Sequence, residues 1–205
     1  MSERVFDAFI SYSHQDCGVI APQIQTAIEN IGRPWYRIRR LRNVFRDETN
    51  LTAAPELWPN IQQALMTSNY FILFASPRAA ASGWVKDEIG VWIRKNYSEE
   101  KGLQKILIVL TEGEIVWPDG EKDFDWEKTG SCMPREVLVG RFRSVPNYVD
   151  LRPYVSNSRG NRQVDYKAAG FTTAMTKLIS AITGIDPRDI ESAELRRQCQ
   201  YFLSR

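Results

Sequence analysis

Three short runs of continuous apolar residues constrain the fold of this chain more than anything else in it. Residues 5–13 read VFDAFISYS, residues 70–75 read YFILFA and residues 105–110 read KILIVL. The two later runs lack the apolar–polar alternation of a half-buried strand, and Asp7 interrupts the first. All three therefore predict strands covered on both faces. Helices packed on either side of a sheet supply that cover, and helical patterns do separate the runs. The first helical stripe is Ile20, Ile24, Ala27, Ile28 and Ile31, close to i, i+4, i+7, i+8 spacing. Gly32 and Pro34 end it, because glycine supplies a left-handed cap and proline cannot continue a helix. Residues 58–66 predict a second helix.

After the central run, Ser76 reads as an N-cap with Pro77 at the first helical position. Ser82 and Gly83 allow a restart, and residues 84–95 predict a helix whose core face is Val85, Ile89 and Ile93. On that reading Glu88 lies off the stripe. A short strand fits Val44 and Phe45, and a last one fits residues 148–151. Residues 112–145 read as loop, with an acidic patch at Glu121, Asp123, Asp125 and Glu127. Residues 165–183 predict a closing helix, and Asp186-Pro187 starts a further polar helix. The fold expected is α/β: a flavodoxin-like, doubly wound five-stranded parallel sheet of order 2-1-3-4-5 with helices on both faces. Residues 1–184 form one domain in this reading, and 185–205 form a C-terminal helical extension or a linker.

Composition removes several function classes. The net charge is +2, so no global field points to nucleic acid or a membrane surface. Five arginines between Arg33 and Arg42 form a local basic segment, read as an exposed connector or an oligomer contact. No segment approaches the roughly 18 to 20 apolar residues of a membrane span. No leader pattern is expected at the N-terminus. Three widely spaced cysteines, Cys17, Cys132 and Cys199, suit reduced thiols in a cytoplasm. His14 is the only histidine, so two-histidine metal motifs are impossible, and no metal is expected. Neither G-x-G-x-x-G nor G-x-x-x-x-G-K-[ST] occurs, so a nucleotide would have to bind by another geometry.

In a sheet of this order, ligands collect at the carboxyl ends of the strands where strand order reverses. Three segments converge there: residues 12–16, the loop 46–58 and residues 82–88. In the last, Trp84 and Glu88 stand four residues apart, one turn above the other on a helix. An aromatic wall beside a carboxylate can bind a flat base or ribose and stabilise a developing cation.

These segments together resemble the Toll/interleukin-1 receptor (TIR) domain family, bacterial members above all. The matching residues are Asp7-Ala8-Phe9-Ile10-Ser11-Tyr12-Ser13, Phe45-Arg46-Asp47, Ala75-Ser76-Pro77 and Ser82-Gly83-Trp84 with Glu88. They fall in order between residues 5 and 110. Residues 111–160 match less well, and the tail after Gly184 lies outside the resemblance. The family contains scaffolds that bind other TIR domains and enzymes that cleave NAD at the nicotinamide–ribose bond. The enzymes give nicotinamide with ADP-ribose or a cyclised ADP-ribose, and the bacterial ones commonly serve antiphage defence. The resemblance implies that Glu88 is catalytic, with NAD as substrate and no cofactor. It also implies self-association through the loop 46–58 and neighbouring helices, with a downstream effector as a further partner.

That chemistry suits these residues. The nicotinamide of NAD is already cationic and leaves neutral, so no general acid is needed. The enzyme must stabilise an oxocarbenium-like ribose, as in glycoside hydrolysis, and one carboxylate can do this. Trp84 and Tyr12 are candidate walls for the ribose or a ring. Ser13, His14, Asp47 and Ser82 are candidate polar contacts to the substrate, and the loop after Asp47 is a candidate lid. The bland alternatives stand beside these: Glu88 as a solvated helix charge, Trp84 as packing, Tyr12 and Ser13 as strand-end residues, His14 as an exposed loop residue. The competing functional reading is a non-catalytic TIR–TIR interaction scaffold.

Overall fold

A computed structural model describes residues 6–33, 42–46, 58–96, 103–142, 144–158 and 161–203. Five parallel strands run β1 (Phe6–Ser11), β2 (Val44–Arg46), β3 (Ser68–Ala75), β4 (Ile106–Leu110) and β5 (Tyr148–Asp150). Their order is β2-β1-β3-β4-β5, the doubly wound arrangement the sequence predicts. The register places Phe6 beside Ser68 and Ser11 beside Leu73, so Ser11 closes the carboxyl end of the sheet. The helices are α1 (His14–Cys17), α2 (Ile20–Asn30), α3 (Trp58–Thr67), α4 (Pro77–Ala81) and α5 (Gly83–Lys95). They continue as α6 (Trp126–Thr129), α7 (Arg135–Leu138), α8 (Phe171–Thr183) and α9 (Pro187–Leu203).

Side chains alternate across the sheet, so each strand feeds two cores. Ala8, Ile10, Ile72, Phe74, Leu107 and Val109 face one way and meet Ile20, Ile24 and Ile28 of α2 and Met175 and Ile179 of α8. Phe9, Phe71, Leu73, Ile106 and Ile108 face the other way and meet Ile61 and Leu65 of α3 and Val85, Ile89 and Trp92 of α5. Phe9, Phe71, Phe74 and Trp92 are fully buried. Each large apolar side chain so buried contributes about 1.5–3 kcal/mol, enough in sum to stabilise the domain without cross-links. Cys17, Cys132 and Cys199 are free thiols.

The structure corrects the sequence reading at four places. The buried face of α5 is Val85, Glu88, Ile89, Val91 and Trp92, while Ile93 is only partly buried. At about 100° per residue, Glu88 falls nearer the centre of that stripe than Ile93 does. Arg42 is not an exposed connector: it is 5% exposed, and its Nη1 donates to the carbonyls of Ile28 (2.7 Å) and Ile31 (3.0 Å). Those are orphan acceptors at the end of α2, so the guanidinium is a buried helix cap. Arg37, Arg39 and Arg40 lie outside the described residues. The closing helix begins at Phe171 rather than residue 165, because Gly170 (φ +89°) takes a left-handed turn just before it. Finally, an antiparallel hairpin, β6 (Val155–Ser158) and β7 (Asn161–Val164), occupies a stretch in which the sequence analysis placed no strand.

The loop 112–145 is more ordered by its acidic residues than solvated through them. Asp123 accepts from the backbone N–H of Gly140 at 2.7 Å, and Asp125 caps α6 by accepting from Glu127 and Lys128 N–H. The tail helix α9 is docked at its near half. Ile190 and Glu194 are each 3% exposed, and Glu194 accepts from the backbone N–H of Gly32 at 2.9 Å. Gly32 (φ +74°) is the left-handed residue ending α2, and a Cβ there would lie 3.1 Å from Ile190. Burial alone would raise the Glu194 pKa; hydrogen bonds from Arg197, Gly32 and Gln198 overcome that and hold it below the usual carboxylate range.

Candidate active site

Glu88 lies in the first half of α5, whose start is fixed by Ser82. The Ser82 side chain accepts from the Val85 N–H at 3.4 Å, an ordinary N-cap. Its hydroxyl is thereby engaged in helix capping. The cap directs α5 across the face of the sheet that carries Phe9 and Ser11. Glu88 then meets the carboxyl end of β1: Ser11 Oγ donates to Glu88 Oε2 at 2.5 Å. Both are buried, Ser11 at 1% and Glu88 at 4% exposed. A carboxylate so withdrawn from water carries a desolvation cost that an ordinary surface glutamate avoids. The solvated-charge reading of Glu88 is therefore wrong for this fold.

Trp84 lies one turn before Glu88 and is 37% exposed. Its ring packs on that of Trp58, the first residue of α3, with centroids 5.2 Å apart and planes tilted by 33°. Both tryptophans open helices that start at the carboxyl side of the sheet, so an aromatic pair stands on the same side of the fold as Glu88.

The other predicted residues divide by sheet face. Tyr12 belongs to the opposite core with Ile10 and Phe74, and its ring contacts His14 at 4.5 Å. Its hydroxyl accepts from Arg46 Nη1 at 3.1 Å, and Arg46 Nε donates to Gln25 at 2.9 Å. Tyr12, His14 and Arg46 thus form a second polar cluster at the strand tips, behind the sheet from Glu88. Ser13 is buried at the turn between them, and its carbonyl accepts from Cys17 N–H at 2.9 Å. Asp47 and the rest of the loop up to residue 57 lie outside the described residues. Ser11, quoted only within the first-strand motif, and Trp58, taken only as the end of the loop 46–58, were given no site role of their own by sequence reasoning. Strand alternation held the signal for Ser11, since it shares a side with Phe9 and with whatever helix covers Phe9.

Neither buried cysteine among the described residues offers a reactive thiolate here. Cys17 lies near the same sheet end, its Sγ 3.5 Å from Thr111 Oγ1. Burial, reinforced by the neighbouring Asp16 carboxylate, pushes its thiol up to about 12. Burial likewise pushes Cys132 up to about 11. Both are protonated at neutral pH and poorly nucleophilic. A thiol reagent applied to the native protein at pH 8 is expected to label exposed Cys199 first, and Cys17 and Cys132 only after unfolding. Mass mapping of the labelled peptides checks this, and rapid native labelling of Cys17 would refute it. A separate groove of about 530 Å³ runs between α4, Lys86, Trp126 and Met133, and Glu88 does not line it. Among the described residues no group of three or more His, Cys, Asp or Glu could hold a metal ion. No helix among them is long and apolar enough to cross a membrane.

The family pattern for the TIR domain matches residues 8–131, which take in β1 from Ala8 onward, all of β2 to β4, Trp84 and Glu88. The chain belongs to the TIR domain family. Among relatives of this TIR domain is the NAD(+) hydrolase ApTIR of an Actinoplanes species, 36% identical over 200 residues. That match takes in 98% of this chain and 26% of the relative, so the chain spans about a quarter of the relative's length. Among solved structures, the TIR domains of the activated Roq1 resistosome recognising the effector XopQ are 16% identical, with a TM-score of 0.40. That match covers 53% of this chain and 59% of the other. The TIR assignment rests on the family pattern, and the sheet order β2-β1-β3-β4-β5 agrees with the fold it implies.

Proposed function

We propose that this TIR domain cleaves NAD at the nicotinamide–ribose bond, with Glu88 as the catalytic carboxylate. The observation that carries the reading is the burial of Glu88 against the tip of β1, where Ser11 holds its Oε2. Such a group is costly to bury and positioned where doubly wound sheets bind ligands. The 36% identical relative named as an NAD(+) hydrolase supports the same substrate.

Bond cleavage moves the C–N electron pair onto nicotinamide, which departs neutral, and leaves positive charge on the ribose. The Glu88 carboxylate stabilises that charge, or accepts a ribose hydroxyl bond that strengthens as the charge grows. Trp84, with Trp58 behind it, gives the sugar or a base an apolar wall. Water then attacks C1′ to give ADP-ribose; a hydroxyl or adenine nitrogen of the same molecule gives a cyclic product instead. Assembly of several copies through the loop 46–58 completes the site, and the activity serves antiphage defence in the cytoplasm. The domain comprises residues 1–184, with α9 as its extension.

The test is concentrated protein incubated with NAD and the products separated by chromatography. Nicotinamide should appear together with ADP-ribose or a cyclic isomer. Absence of nicotinamide in both dilute and assembled samples would leave the scaffold reading in its place.

A further inference from the structure

We infer that Ser11 is the positioning residue for Glu88, resting on the reading of Glu88 as the catalytic carboxylate. The two side chains come from elements 77 positions apart in sequence. They meet where nearly all water is excluded, and an unsatisfied hydroxyl there would carry a desolvation cost. A serine near the end of a central parallel strand is surrounded by apolar neighbours: Phe9 precedes it on the same face, and Leu73 is its register partner. An apolar residue would suit that position better if packing were all that mattered. The hydroxyl instead donates to one defined oxygen, Oε2.

The consequence is geometric. A glutamate on a helix has three rotatable bonds, and α5 fixes only its Cα. Tying Oε2 to the rigid end of β1 restrains where that oxygen sits as well. The orientation toward a sugar bound at the strand tips is then set before substrate arrives. Preorganisation of this kind accelerates the chemical step and leaves ground-state binding almost unchanged. Ser11 touches no reacting atom in this account; it acts through Glu88.

The experiment compares wild type, Ser11→Ala, Ser11→Thr, Glu88→Gln and a control, Ser68→Ala, by kcat, KM and thermal midpoint. Ser68 is also a buried strand serine, 2% exposed, whose Oγ donates to Ala64 O at 2.7 Å. It stands at the opposite end of the sheet, beside Phe6. Ser11→Ala is expected to lower kcat roughly 10- to 100-fold with KM within about twofold. Ser11→Thr, which keeps the hydroxyl, should restore most of kcat. Ser68→Ala should lower the thermal midpoint and leave kcat alone. Wild-type kcat in Ser11→Ala would overturn the inference while leaving Glu88 in place. So would a loss in Ser11→Ala that Ser11→Thr does not recover, or one that rises in KM rather than falls in kcat. If wild type fails to cleave NAD, or Glu88→Gln cleaves it equally well, the reading beneath falls and the role of Ser11 with it.

Discussion

Glu88→Gln is expected to reduce nicotinamide release by at least about 10²- to 10³-fold, the usual cost of removing a group that stabilises transition-state charge. The substitution is nearly isosteric, and the amide oxygen can still accept the Ser11 hydroxyl. Packing around Val85, Ile89 and Trp92 therefore stays as it is. What disappears is the negative charge. The effect should fall on kcat, because the substrate ribose carries little charge before the bond lengthens. Stability should change little or rise, since an amide is cheaper to bury than a carboxylate. Circular dichroism and a thermal melt establish that the fold survives, and product chromatography measures the rate. Turnover equal to wild type would remove Glu88 from the chemistry, whatever its burial.

The helix-and-strand order was legible because the central strands are buried on both faces. The runs at 71–75 and 106–110 had no polar residue to confuse the period, and the sheet order followed from the βα rhythm. The cap at Ser76 was equally readable, since serine followed by proline leaves few alternatives, and Ser82-Gly83 marked the helix restart, but Ser82 was assigned to the substrate rather than to the cap it makes. Burial of polar residues was not legible. Glu88 sits inside a hydrophobic stripe because a serine faces it from β1, and pattern alone assigns such a glutamate to solvent. Arg42 was grouped with its arginine neighbours, yet it caps the carbonyls ending α2. Tyr12 and Glu88 looked like one cluster when both were placed at strand tips, and strand alternation sends them to opposite faces. The hairpin β6–β7 escaped notice for the same reason: its residues are mostly polar, and what fixes it lies far away in sequence.

The hairpin is fastened to those distant groups through Arg162, whose replacement by alanine is expected to cost about 3 kcal/mol, in the range for breaking a buried ion pair. Its guanidinium reaches from β7 to three groups at the carboxyl end of the sheet. Nη2 donates to the Thr111 carbonyl at 3.0 Å. Nη1 lies 3.7 Å from the Asp16 carboxylate and 3.2 Å from that of Glu112. The Arg162 and Asp16 side chains are only 16% and 7% exposed, while Glu112 is 56% exposed and adds little. Asp16 is the reason the effect is large. Neither of its carboxylate oxygens accepts a hydrogen bond, so Arg162 is the charge that compensates it. Remove the guanidinium and a buried, uncompensated carboxylate remains beside Cys17. At 2–4 °C per kcal/mol for a chain of this size, the thermal midpoint should fall by roughly 6–12 °C. Adding Asp16→Asn to Arg162→Ala should recover part of the loss, because the stranded charge goes with it. Asp16 belongs to the short helix that directly follows β1, so the clamp also fixes the turn bearing Ser13 and His14. A midpoint unchanged in Arg162→Ala, or a double variant no better than the single one, would show that the hairpin is held by packing alone.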